Sequence, residues 1–469
     1  MTSNPIFTIK YIHKLVGQNK TSILALIDDA YSKLHQHQPQ LKAFRAIGKP
    51  PPIAPKGLLA GVCVSVKDLY AVTGFDTYAG SPLALKEFDT SGTLVKRLTD
   101  AGAHICGKTH TVEFAFGGLG TNPHWPVPVN PFDTQQHRVP GGSSSGAPVS
   151  LWMGACQLAL GSDTSGSVRV PAAFCGTFGL KTSALRWEKD GIVPLAPSVD
   201  TAGLLALSAA DALWGFAVLD PATRDDPMTF IEQNMPIDQT RDKPMEGVRI
   251  GVITALFEGC EGSIDTKVLA ALAQLQAAGA TLVALDWPYL GETYQLFLQG
   301  GLSALEFPAF IKAKDRKPWF DQLAPSTKMR FAHLTDLDLA NAPAQVAEKN
   351  ALIQTFNKAA EAVLEKVDFA VCPTCPISAP TLAYVATNMS QYKERNFKAL
   401  RNTQVANLQY LCAATLPCGM DDYNMPLGLQ IIMGHGQDVQ LMQWSCKVEN
   451  IIGNAQHHYH KALQMKHHQ

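Results

Sequence analysis

Two turns rich in glycine and serine constrain this chain more than any other feature: Gly141-Gly142-Ser143-Ser144-Ser145-Gly146 and Gly161-Ser162-Asp163-Thr164-Ser165-Gly166-Ser167. Glycine lets a backbone turn sharply and come close to a ligand, and serine adds a hydroxyl. The apolar connector between them, residues 147–160, has about the length of a helix plus a strand. Each turn runs into a stretch able to start a helix, where unpaired N–H groups favour negative charge. The sequence therefore offers two hydroxyl-bearing turns beside oxyanion donors, and the rest of the chain has to hold them.

The flanking segments read as α/β. Residues 58–66 are apolar and β-rich and end on Lys67-Asp68. Residues 91–102 read as a helix capped by Ser91 and stopped by Gly102, with a strand at 103–106. The idiom returns as a strand at 248–253, a helix at 265–278 stopped by Gly279, and a strand at 281–285. Helix, glycine stop and strand predict βαβ packing: a central mixed, largely parallel, twisted β-sheet covered by helices on both faces. Residues 21–36 predict an amphipathic helix, 368–373 and 427–432 strands, and 401–411 a helix. The expected organisation is one domain, 1–469, with an N-terminal helical segment (1–55), a core (56–230), a second half (231–380) containing a helical lid or substrate region (289–350), and a C-terminal strand and helices (381–469). The loop 113–131, dense in Gly and Pro, and the 289–350 region are expected to shape the pocket, with Phe116, Trp125 and Trp187 as candidate walls.

Composition excludes several classes. Lys plus Arg number 39 against 40 Asp plus Glu, so bulk charge favours neither nucleic acid nor a membrane surface. The first twenty residues carry no signal-peptide pattern, and no apolar run reaches the roughly 18 residues a membrane span needs. Ten cysteines, mostly single and inside apolar segments, suit a reduced, cytoplasmic protein. Cys372-Pro-Thr-Cys375 has C-x-x-C spacing but no second ligand pair, and the terminal His457, His458, His460, His467 and His468 read as a polar tail. No metal and no organic cofactor is expected.

Three serine chemistries fit the motifs. Gly142-x-Ser144-x-Gly146 satisfies the nucleophile elbow of α/β-hydrolases, yet the polar residues 133–140 before it supply no strand. Ser390-x-x-Lys393 and Lys181-Thr-Ser183 echo penicillin-binding enzymes in reversed order. The third chemistry pairs serines in both turns with a lysine held neutral by burial. Lys67 has the most desolvating context, and spacing alone leaves it either as a base or as a structural partner of Asp68 or another carboxylate.

Four stretches resemble the amidase signature family of Ser-Ser-Lys hydrolases: Gly61 to Asp68, Gly141 to Gly146, Gly161 to Gly176, and Pro194 to Thr201. Weaker echoes at Pro373-Thr374 and 426–432 extend the similarity nearly to the C-terminus. The resemblance implies Ser167 as nucleophile, Lys67 as base, and Ser143 as a bridging serine after a cis peptide. It also implies Thr164, Ser165, Gly166 and Ser167 as oxyanion-hole and substrate-binding residues, with Ser144 and the pair Asp163–Arg169 as supports. The implied reaction is hydrolysis of a carboxylic-acid amide to an acid plus ammonia or amine, on a small-molecule substrate, with a homodimer left open. Within the family, the glutaminase component of the tRNA-dependent glutamine amidotransferase is the alternative, and an inactive binding module a weaker one. Ser165 where that component usually has glycine, and residues 185–190 where it has an arginine-serine-rich turn, lean toward a free-standing amidase. All three chemical positions are occupied, which disfavours the inactive module.

Overall fold

The computed structural model describes residues 7–133, 135–234 and 244–466; His467 and His468 of the histidine-rich tail lie outside them. Its strands are β1 (Phe44–Ile47), β2 (Cys63–Lys67), β3 (His104–Thr109), β4 (Leu158–Asp163), β5 (Phe178–Lys181), β6 (Thr201–Ala206), β7 (Arg249–Ile253), β8 (Thr281–Leu285), β9 (Phe369–Pro373), β10 (Cys412–Met420) and β11 (Pro426–Met433). Among the described residues they form one 11-stranded sheet in the order β1-β3-β2-β4-β6-β5-β10-β11-β9-β7-β8. The sheet is mixed and carries helices on both faces, as expected. Its parallel pairing is gathered in two blocks, β3-β2-β4 and β9-β7-β8. Antiparallel ladders of β6, β5, β10 and β11 join them. Connections explain the division. The helices Thr93–Asp100 and Ile264–Ala277 carry the chain across between parallel neighbours, whereas a short turn joins β10 to β11 and permits only antiparallel pairing.

Strand alternation sorts the core. Val64, Val66, Leu158 and Leu160 face a cluster with the helices Ala209–Leu219 and Asp438–Ile452. Cys63 and Ala159 face the opposite cluster, with Ile23–Leu41 and Gly146–Trp152. Lys67 shares the parity of Cys63 and Ser65, and Ser65 Oγ lies 2.8 Å from Ser150 Oγ of that last helix. Because β4 lies parallel to β2 with Val66 opposite Leu160, Lys67 and the second serine turn emerge together at the carboxyl ends of neighbouring strands. In sheets with parallel strands that end is where ligands bind.

Some boundaries differ from the sequence expectation. Residues 58–61 form a turn, with Gly61 at φ 88°, so β2 starts at Cys63. Ser91 does not cap the helix Thr93–Asp100: its Oγ accepts from Thr73 N at 2.9 Å, and the carboxylate of Asp190 takes the Thr93 N–H at 2.8 Å instead. The single helix expected at 401–411 is replaced by Met389–Leu400, a turn and the short Gln404–Asn407. Among the described residues no helix is long and apolar enough to cross a membrane.

Candidate active site

Lys67 ends β2 with no accessible surface. Its Nζ donates to Ser143 Oγ at 2.7 Å, to Ser162 Oγ at 2.9 Å and to Ser162 O at 3.3 Å. All three partners are neutral oxygens. Asp68 turns away and binds Lys108 Nζ at 2.9 Å and Arg45 Nε at 2.5 Å, so the Lys67–Asp68 pair is not formed. Burial lowers Lys67 to about 7, against a weaker upward pull from Asp163 and Asp200. Near neutral pH about half of Lys67 is then unprotonated, against about one in a few thousand for an ordinary lysine.

Ser143 is also fully buried, and the Gly142–Ser143 peptide is cis. Its carbonyl accepts from Val112 N at 3.2 Å and Thr111 Oγ1 at 3.0 Å, which fixes the first turn to the loop after β3. Ser144 fastens the two turns together: its N–H donates to Ser167 O at 3.1 Å and its Oγ to Ser162 O at 3.3 Å.

The second turn depends on Gly166, whose φ is +135° and whose added Cβ would lie 2.1 Å from Thr403 Oγ1. Thr403 Oγ1 in turn donates to Ser165 O at 2.7 Å. Asp163 holds the inside of the turn, its Oδ1 accepting from Gly166 N at 2.7 Å and its Oδ2 from Val168 N at 3.1 Å. The Gly166 N–H is therefore committed to Asp163, which narrows the candidate oxyanion donors to Thr164, Ser165 and Ser167. Asp200 Oδ1 accepts from Thr164 Oγ1 at 2.6 Å, and its Oδ2 accepts from the N–H groups of Leu195 and Ala196 at 2.9 Å.

Asp163 and Arg169 form a pair with no exposed surface, at 3.0 and 3.1 Å. Burial alone would raise the Asp163 pKa, but the Arg169 guanidinium, with help from Lys181 and Asn407, holds it at about 2. Arg169 also donates to Thr403 O and Gln430 Oε1, both at 2.7 Å, and to Asn407 Oδ1. A buried ion pair needs such saturation, because each ion carries a desolvation penalty of several kcal/mol (order of magnitude).

Ser167 opens onto a cavity of about 140 Å³, whose wall includes Thr164 and Ser165. Ser167 keeps 5% of its surface, while Ser143 and Lys67 behind it keep none. The expected pocket regions contribute: Ala115, Phe116 and Gly117 from the loop, Phe297 and Arg330 from residues 289–350. Trp125 and Trp187 do not line this cavity. Their indole N–H groups bind Ser81 O at 2.9 Å and Asp220 Oδ2 at 3.0 Å. Ser390 starts a surface helix on the Asn388 cap, and Lys181 donates to the carbonyls of Thr182 and Leu411, so neither echo of penicillin-binding enzymes assembles a site. Cys372 lies buried in β9 and accepts from Gln430 Nε2 at 3.2 Å; burial pushes its thiol up to about 12.

Sequence reasoning missed Ser162, Thr403, Asn407 and Gln430. Ser162 lay inside a quoted motif without a role. The other three are neutral polar residues, and only burial, which sequence does not print, turns them into obligatory hydrogen-bond partners.

Comparison with known proteins places the chain in a family. The amidase family model matches residues 18–442. A relative from Comamonas testosteroni, 2-amino-5-chloromuconic acid deaminase, is 39% identical over 85% of this chain and 83% of its own. The first component of the glutamyl-tRNA(Gln) amidotransferase of a Cyanothece species is 31% identical over 91% of this chain and 94% of its own. A crystal structure of an amidase superposes with a TM-score of 0.78 at 26% identity, covering 95% of this chain and all of the other.

Proposed function

Starting from the membership of this chain in the amidase family, hydrolases acting on C–N bonds, we propose that it cleaves the amide of a small carboxylic acid through an acyl-enzyme on Ser167. The observation that carries the reading is the 2.7 Å contact between Ser143 Oγ and a fully buried Lys67 held at about 7, in a turn whose Ser144 N–H donates to the carbonyl of cavity-lining Ser167 at 3.1 Å.

In the first half, Ser167 Oγ attacks the carbonyl carbon while its proton passes through the Ser143 hydroxyl to neutral Lys67. The oxyanion accepts from backbone N–H groups of Thr164, Ser165 and Ser167. The C–N bond breaks as the proton on Lys67 returns through Ser143 to the leaving nitrogen, which departs as ammonia or an amine. In the second half, water gives its proton to the same relay and its oxygen to the acyl carbon. The Ser167–acyl bond breaks, Ser167 Oγ regains a proton, and the acid leaves.

Ammonia release from a panel of short aliphatic and aryl amides, with fluorophosphonate labelling read by mass spectrometry, tests the reading. Labelled Ser167 and turnover support it; a folded enzyme inert to all amides and unlabelled at Ser167 removes it.

A second reading follows from the 31% identity to an amidotransferase component: glutamine as ammonia donor to a partner protein. Ammonia from glutamine only in the presence of such partners would favour it. The similarity to a deaminase named for 2-amino-5-chloromuconic acid adds that acid to the panel.

A further inference from the structure

The cavity in front of Ser167 has two facing walls from distant parts of the chain, and neither would keep its place unaided. Ala115, Phe116 and Gly117 belong to the loop after β3, and Met329 and His333 to the stretch that follows the helix Pro325–Lys328. That helix has four residues, and its cap position is Ala324, whose side chain accepts nothing. The loop is strained: Phe114 and Ala115 stand in succession in the left-handed region, at φ 45° and 60°. Such backbone persists only where its surroundings enforce it.

Glu113 answers both needs. It directly precedes the strained pair and keeps 1% of its surface. Its Oε2 accepts from Ala324 N at 3.0 Å and from Thr327 Oγ1, so a carboxylate 211 residues away supplies the cap that Ala324 lacks. Its Oε1 lies 2.8 Å from Nε2 of His124, farther along the same loop. Next to it, Phe114 packs on Phe307 and Phe310, with ring centres 5.3 and 6.5 Å apart. Toward the serine turns, Ala115 N donates to Val112 O at 2.9 Å, and Val112 N to Ser143 O at 3.2 Å. One buried carboxylate thus ties the far wall to the near one. Glu113 itself does not line the cavity.

We propose that Glu113 is a positioning residue that sets the span of this cavity: by clamping Ala324 and Thr327 to the loop after β3, it fixes the size of the acyl group held against Ser167. The role rests on the amide-hydrolysis reading of that cavity. Loss of the clamp releases the wall at 329–333 and leaves Lys67 its contacts with Ser143 and Ser162. The penalty therefore falls on binding of the acyl group and spares the bond-making step.

The test measures labelling of Ser167 in the purified full-length enzyme by an octyl and an ethyl fluorophosphonate. The octyl chain reads the cavity, and the ethyl group reads little beyond the nucleophile. Glu113→Gln should raise KI for the octyl reagent by about 10-fold or more, with kinact and ethyl labelling within about threefold. Thr327→Val should act in the same direction by less, and should add nothing to Glu113→Gln, because both remove one contact. His124→Gln leaves the clamp whole and should leave the octyl KI unchanged. Hydrogen exchange read by mass spectrometry should quicken at residues 323–334 in Glu113→Gln and stay the same in β4. Where Glu113→Gln does not fold, Thr327→Val carries the test. An unchanged octyl KI, an equal loss with both reagents, or unchanged exchange at 323–334 overturns the proposal. Wild-type enzyme unlabelled at Ser167 would instead remove the amide-hydrolysis reading, and exchange at 323–334 would then decide alone whether Glu113 holds the wall.

Discussion

Two lysines stand side by side in this sheet and do different things. Lys67 ends β2, and Lys108 lies on the parallel neighbour β3, opposite Val66. Both are without accessible surface, and burial draws both pKa values down. Their partners separate them. Lys108 meets the Asp68 carboxylate at 2.9 Å and Thr77 Oγ1 at 3.0 Å, so its charge is answered inside the fold. Lys67 meets only hydroxyls and a carbonyl. Burial therefore does not distinguish a base from a structural cation; the charge of the nearest oxygen does.

The largest expected effect lies at the far end of the relay proposed for Lys67. Ser167→Ala should lower turnover by roughly 10⁴–10⁶-fold with an unchanged melting temperature. Next come the lysines themselves, whose losses should be of opposite kinds. Lys67→Met is expected to cut kcat by roughly 10²–10⁴-fold in a fully folded protein. Lys108→Met should instead destabilise by about 1–3 kcal/mol, since it removes one of the two cations that meet buried Asp68 and leaves Arg45 to hold it alone, while the folded fraction keeps kcat within about tenfold. Denaturant titration beside steady-state kinetics reads both, and a reversed pattern would overturn the distinction between the two lysines.

A pH profile probes the same distinction from the side of Lys67. The proposed relay needs neutral Lys67, so kcat/KM should rise through about pH 7 and be lost below it. Stability carries the same signature. The folded-state pKa lies below the ordinary lysine value of 10.5, so between about 7 and 10.5 the unfolded chain binds the extra proton and stability climbs with pH. Lys67→Met should flatten that climb. The smallest effect is that of Ser162→Ala. It removes an acceptor at 2.9 Å that favours the ammonium form, so the acidic limb should move down by about 0.5–1 pH unit with activity within about tenfold.

The same two lysines mark how far sequence could be read. Lys67 is conspicuous because an apolar strand runs straight into it, while Lys108, inside His-Ile-Cys-Gly-Lys-Thr, is equally buried and carries no such signal. Local signals serve well where the physics is local: the helix, Gly279 stop and strand around residues 264–285 were legible within a residue or two. They fail where a distant group intervenes. Asp190 displaces Ser91 as a helix cap because it reaches the Thr93 N–H from 97 residues away. Strand β10 was missed because Pro417 and Gly419 argue against a strand; the ladder accommodates them with a register shift between those two residues. Of the candidate site, the residues within the glycine-rich turns could be named, and their fastening to Thr403, Asn407 and Gln430 could not.

That fastening has a consequence for how the enzyme comes into being. Arg169, two residues after Ser167, is held by groups at positions 403, 407 and 430, and Gly166 packs under Thr403. A chain emerging from the ribosome carries Lys67, Ser143 and Ser167 early, but the guanidinium that braces their turn finds its last partner only when β11 has been made. Synthesis itself thus acts as the safety catch: the proposed nucleophile is encoded in the first half of the chain and its turn is braced by the end of the second.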